Sequence, residues 1–139
     1  MEQADIEPLL DTPGVEFLGE LGEREKREVL ASAAALLFPI EWPEPFGLVM
    51  IEAMACGTPV IALRCGSVPE VIDDGVTGFV VESEDEAVAA CGRLGEIDRV
   101  RTHAVFKEKF SSLTMAARYV DVYSRLVESE RARTKSPMA

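Results

Sequence analysis

Two glutamates, Glu44 and Glu52, are separated by seven residues in the stretch EPFGLVMIE (44–52). The second sits inside an apolar run, with Leu-Val-Met-Ile before it and Ala-Met-Ala after it. A carboxylate in such a run is costly to bury unless it is paired or binds something. The neighbours suggest what it binds. Gly47 lets the backbone come close to a ligand. The amides of Gly47, Leu48 and Val49 fall at the first turn of an expected helix, where they have no internal partner. Together with the helix dipole they form a phosphate site. Glu52 follows more than one turn later, on the face that turns back toward that end. There a carboxylate can accept two hydrogen bonds from a ribose diol, as the acidic residue of a dinucleotide fold does. Glu44, on the loop before the helix, can reach a sugar hydroxyl. Taken singly, Glu44 also reads as a solvated loop acid, and Glu52 as a hydrogen-bonded structural carboxylate.

These residues need a scaffold that puts a loop and a helix start at one place. Residues 1–14 lack periodicity and read as a tail ending in the turn Thr-Pro-Gly. VEFLG (15–19) reads as a short strand. EREKREVLASA (23–33) places Val29, Leu30 and Ala33 on one helical face and charges on the other. ALLFP (35–39) is an apolar strand stopped by Pro39, and IEWPEPF (40–46) is a loop. GLVMIEAMACG (47–57) is a helix ended by Gly57. TPVIAL (58–63) and TGFVVE (77–82) are strands flanking a short helix and turn at 67–75. From Glu84 onward two or three amphipathic helices are expected, with 131–139 frayed. Continuous apolar strands alternating with helices predict an α/β fold: a Rossmann-like parallel sheet of about four strands with helices on both faces. Ligands in such sheets bind at the carboxyl ends of the strands. Loop 39–47 leaves such an end and enters a helix.

Composition narrows the chemistry. The chain has 139 residues and a net charge of -11. A polyanion such as nucleic acid would be repelled, so none is expected as a partner. A small anionic ligand must be held by local dipoles. One histidine, His103, argues against a histidine triad or zinc centre, and no metal ligands are assigned. The three cysteines, Cys56, Cys65 and Cys91, have no metal-like spacing. They read as reduced thiols packed as small apolar groups in a cytoplasmic protein. No apolar run approaches the roughly 20 residues that span a bilayer, and the N-terminus lacks the layout of a secretion signal.

The same residues carry a resemblance. Glu44-Pro45-Phe46-Gly47-Leu48, then Glu52-Ala53-Met54-Ala55 and Gly57-Thr58-Pro59-Val60, resemble the donor-binding signature of retaining glycosyltransferases with a GT-B fold, family 4 (group 1) in particular. Phe17-Leu18-Gly19, Phe38-Pro39, Gly66, Val68-Pro69-Glu70-Val71-Ile72, Asp74-Gly75 and Gly78-Phe79-Val80 agree with it in order. Tyr119 and Tyr123 are similar to the family's last helix. The likeness runs from about Val15 to about Val127, and the division it implies is a partial donor-binding domain over 15–130. It implies a nucleotide-diphosphate sugar as donor and a retaining transfer to a carbohydrate or lipid-linked acceptor, with no cofactor. Glu52 would bind the donor ribose. Glu44 would contact donor-sugar hydroxyls as the catalytic-site residue. Backbone around Phe46, Gly47 and Leu48 would approach the sugar and diphosphate.

The family's donor domain opens with two further strand-helix units, which bring an Arg and a Lys to the diphosphate. No counterpart precedes Val15, and nothing corresponds to the family's acceptor domain. In the family's sheet the two missing strands lie between those matching 15–19 and 35–39. The simplest expected repair sets these two side by side through helix 23–33. Exposed sheet edges would then favour self-association, or a separate N-terminal half would cover them. Each lost charge-assisted contact to the diphosphate would cost on the order of 1.5–3 kcal/mol, so full activity of this chain alone is not expected. The alternative to a transferase part is a truncated, non-catalytic module that binds nucleotide or packs against a partner.

Smaller features divide between function and packing. Ile40 stands where the family often has Ser, and Gly66-Ser67 where it usually has two glycines. The second change takes freedom from the backbone near the donor. Trp42 would either stack on a base or sugar or wedge the loop onto the core. Arg64 reads as a surface residue at a strand end. Lys26 and Arg27 read as partners of helix neighbours such as Glu23. His103 reads as a surface or half-buried helix residue, and the aromatics of the last helix as core.

Overall fold

The computed structural model describes residue 10 and residues 12–135. The remainder of the expected tail (1–9 and 11) and residues 136–139 lie outside the described residues. The elements are α1 (Glu23–Ser32), β1 (Leu36–Phe38), α2 (Leu48–Ala55), β2 (Val60–Leu63), α3 (Val68–Val71), β3 (Gly78–Val81), α4 (Glu84–Cys91), a 3-10 turn (Leu94–Glu96), α5 (Arg99–Phe110) and α6 (Ser112–Lys135).

The three strands form one parallel sheet in the order β1-β2-β3. Leu36 faces Val60, and Val60 faces Gly78 across the next ladder. Side chains of β2 alternate between two cores, as the period of a strand requires. Val60 and Ala62 join Phe38, Met50 and Met54 in one cluster, completed by Leu30 of α1 and Val105 of α5. Ile61 joins Phe79, Val81 and Ala90 of α4 in the other, closed by Ile97. Apolar strands with both faces covered are the expected α/β layering. Gly78 is required by closeness: a Cβ there would lie 1.8 Å from the Val60 carbonyl oxygen.

Residues 15–19 are a correction. They form no strand, so the sheet has three strands among the described residues rather than about four, and the expected pairing with 35–39 does not form. The side chains of Val15, Phe17 and Leu18 are exposed, Phe17 by 73%. A strand's backbone groups need a neighbouring strand, and β1 pairs only with β2. Among the described residues no strand pairs with the outer edge of β1, and Leu37 in that strand is 56% exposed.

The helices follow local signals. α2 ends where Gly57 adopts φ +71°, the left-handed conformation that closes helices. α4 starts at Ser83, whose Oγ accepts from the Glu86 amide. α5 starts at Asp98, which accepts from the Val100 and Arg101 amides. α6 continues through Lys135, so residues 131–135, read as frayed, are helical. Tyr119 and Tyr123, read as core, are exposed and face each other with ring centroids 6.1 Å apart. Their helical period is right, but among the described residues no body surface covers their face.

Candidate functional site

The loop from Pro39 to Gly47 leaves β1 at its carboxyl end and enters α2. Gly47 caps the helix in the left-handed conformation, φ +71° and ψ +66°. An added Cβ would meet Met50 Cε at 2.7 Å and Phe38 Cζ at 3.1 Å, both in the core beneath. The bend that presents the first-turn amides is thus fixed by backbone conformation and by packing. Leu48, the first helical residue, is exposed, whereas Met50 is fully buried.

A second loop braces the first. Gly66, at φ +51°, runs so close that an added Cβ would lie 2.6 Å from the Glu44 carbonyl oxygen and 2.9 Å from the Pro43 carbonyl carbon. The Ser67 amide donates to Glu44 O at 3.1 Å, and Ser67 Oγ donates to Phe46 O at 2.9 Å. Ser67 therefore does more than replace a glycine: its hydroxyl holds the site loop. Phe46 also packs edge-on against Phe110 of α5, centroids 6.3 Å apart. Ile40 packs against the first core cluster.

Glu44 is half-buried on this loop, and its Oε2 accepts from the Trp42 indole at 3.2 Å. Trp42 itself is exposed, so it neither wedges into the core nor is hidden from a ligand. Arg64 pairs with Glu82 at the strand ends, as a surface residue does.

Glu52 answers to a different neighbour. It lies four residues after Leu48, about 6 Å along the helix on the same face. Its Oε1 accepts from Lys26 Nζ of α1 at 2.8 Å, and the same ammonium donates to Glu23 Oε1 at 3.1 Å. The Glu23 contact is the helix-neighbour pairing expected; the Glu52 contact is not visible in the sequence, because 26 positions separate the two residues. The Glu52 carboxylate, then Glu23, holds the Lys26 ammonium above its ordinary value of 10.5. Lys26, Arg27 and Glu52 border a cavity of about 230 Å3 whose apolar side is Leu30, Ala55 and Cys56. Glu44, Phe46, Gly47 and Leu48 do not line it, so the predicted residues form two adjoining stations, one at the helix start and one a turn further on.

The position of α1 depends on its far end. The carbonyls of a helix C-terminus lack internal partners. Thr58 Oγ1 donates to Leu30 O at 2.6 Å. Arg99 of α5 donates to Ala33 O at 2.7 Å, to Ala31 O at 2.9 Å and to Thr58 Oγ1 at 2.9 Å. This clamp ties the C-terminal end of α1 to α5 and to Thr58, just past α2, while Lys26 of the same helix reaches Glu52. His103 Nδ1 lies 2.7 Å from Ala55 O and ties α5 to the end of α2. Sequence reasoning missed Arg99, for which only an uncapped helix end at Ser32–Ala33 is a hint.

Among the described residues no cluster of three or more His, Cys, Asp or Glu could hold a metal. No described helix is long and apolar enough to cross a membrane.

The profile of the family described as "Glycosyl transferases group 1" matches residues 2–97. A D-inositol 3-phosphate glycosyltransferase of Streptomyces avermitilis is 34% identical over 134 residues, covering 88% of this chain and 28% of the relative. An alpha-maltose-1-phosphate synthase of Mycobacterium tuberculosis is 44% identical over 71 residues, 50% of this chain and 18% of the relative. The crystal structure of Anabaena Alr3699/HepE in complex with UDP-glucose superposes with a TM-score of 0.71 at 26% identity, over 88% of this chain and 35% of that one. The chain thus spans between about a sixth and a third of the length of these relatives.

Proposed function

The chain belongs to the group 1 glycosyl transferases, and from that premise we propose that it carries the donor station of a retaining sugar transfer. The donor is a nucleotide-diphosphate sugar, and the acceptor a carbohydrate or a lipid-linked sugar. Glu52 accepts the ribose hydroxyls. The amides at Gly47 and Leu48, with backbone at Phe46, face the diphosphate and sugar. Glu44 contacts the sugar hydroxyls beside the reacting carbon. The site uses no cofactor and works in the cytoplasm.

The observation that carries this reading is the arrangement along one helix. A left-handed glycine presents free first-turn amides, and a half-buried carboxylate follows one turn later on the same face, beside a ring-sized cavity. That order matches diphosphate followed by ribose. The UDP-glucose complex of the structural relative supports UDP as the first nucleotide to try.

The test is thermal unfolding of the chain against UDP, GDP, ADP and their sugar conjugates, with Glu52→Ala as control. Binding to the native state raises the Tm by mass action. A rise with one nucleotide that disappears in Glu52→Ala is expected. No rise with any of them at millimolar concentration would refute the donor station and leave a module that only packs against a partner.

A further inference from the structure

The Glu52 carboxylate meets the cavity already partnered. Lys26 Nζ occupies one side of Oε1 at 2.8 Å. A carboxylate offers about four lone-pair positions and an ammonium three protons. Lys26 takes one of those positions, and a ribose diol needs two, so pairing and ribose binding are compatible on one carboxylate. Both side chains are about one-third exposed, 30% for Lys26 and 35% for Glu52, and both border the same cavity of about 230 Å3. That is less than the roughly 300–1,000 Å3 of a whole small-ligand pocket and suits a single ring against Leu30, Ala55 and Cys56.

We propose that Lys26 is the positioning residue of ribose recognition: by binding Oε1 from α1 it fixes the Glu52 carboxylate at the cavity, with its remaining lone pairs free for the 2′- and 3′-hydroxyls. The proposal rests on the reading of Glu52 as ribose acceptor. A glutamate on a helix surface has several rotamers, and a ligand that pins it bears that loss at binding. The ammonium imposes the loss at folding instead. Lys26 is itself placed by the clamp that Arg99 and Thr58 make on the far end of α1. Glu23, through its 3.1 Å contact, holds the same ammonium as well. Lys26 remains a cation at neutral pH, since Glu52 and Glu23 both favour its charged form.

The experiment measures affinity of the full chain for UDP and for 2′,3′-dideoxy-UDP, in the wild type and in Glu52→Gln, Lys26→Met and Lys26→Arg, with the urea midpoint of each variant recorded. Hydrogen bonds from two hydroxyls to a charged group give the wild type a preference for UDP of about tenfold or more. Glu52→Gln should remove it. Lys26→Met should cut it to about threefold or less while the chain stays folded, and Lys26→Arg should restore most of it. A wild type without diol preference refutes the ribose reading itself. A preference that persists in Lys26→Met refutes the positioning role alone. Equal weakening of both ligands in Lys26→Met, with the ratio kept, also refutes it, since the lysine would then act on the diphosphate or on the fold.

Discussion

Arg99→Met tests the clamp on which the site's geometry depends. The arginine makes three bonds, to Ala33 O, Ala31 O and Thr58 Oγ1. The bond to Ala31 is exposed, and water replaces it at little cost. The other two are partly buried, and hydrogen bonds involving a charged group contribute about 1.5–3 kcal/mol each. Methionine keeps the apolar stem in place, so the change isolates the polar part. Two bonds at the low end give a loss of about 3 kcal/mol. The assay is urea unfolding followed by far-UV circular dichroism. With a slope of roughly 2 kcal/mol/M, the midpoint falls by about 1.5 M. Thr58→Val removes the shared hydroxyl, so the double variant should be less destabilised than the sum of the two by about 1 kcal/mol. Because α1 loosens, the proposed binding of UDP should weaken as well, although Arg99 does not line the cavity. A change below about 0.5 kcal/mol, typical of an ordinary surface site, or strict additivity with Thr58→Val, would refute the clamp.

Other consequences can be measured in the same way. Gly66→Ala puts a Cβ 2.6 Å from the Glu44 carbonyl at φ +51°. It should cost roughly 1–3 kcal/mol in strain and shift the loop, read as a lower Tm together with loss of the stabilisation by UDP that the proposed donor station predicts. Lys109 Nζ holds both Asp73 oxygens, at 2.6 and 2.7 Å. A double-mutant cycle with Lys109→Met and Asp73→Asn should return a coupling of about 0.5–1 kcal/mol that shrinks in high salt. Arg93 holds the Glu96 carboxyl below its ordinary 4.5. A depressed carboxyl stabilises the fold above its unfolded pKa and loses that effect as pH falls through the folded one. Glu96→Gln should therefore lower the urea midpoint at neutral pH and leave it unchanged in strong acid.

What the sequence made legible was local. Periodicity placed α1, α2 and the three paired strands to within a few residues, and Gly57 marked the end of α2. The motif at 44–52 singled out the candidate loop because its signals, a glycine, a helix start and a carboxylate one turn on, lie within one turn and a loop. The partners that organise the site were not legible, since they come from far away in the chain. Lys26 reaches Glu52 across 26 positions, and Arg99 reaches Ala31 across 68. Spacing rules for a single helix see Glu23 beside Lys26 and nothing beyond it. Residues 15–19 show the opposite failure. Their apolar residues suit a strand, yet a strand exists only with a neighbour, and pattern alone does not supply one.

Helix α6 leaves the body after its first turn. Arg118 still donates to Lys109 O at 3.2 Å, but every residue from Met115 to Arg133 is exposed. Its 24 residues make a rod about 36 Å long, governed less by tertiary packing than by helix–coil statistics, under which isolated helices are marginal in water. Its amides beyond Arg118 should exchange with solvent far faster than those of β2, whose ladder opens only when the core does. The chain then has two melting behaviours, a gradual one for the rod and a cooperative one for the sheet, and circular dichroism, which sums both, will register the first before the second.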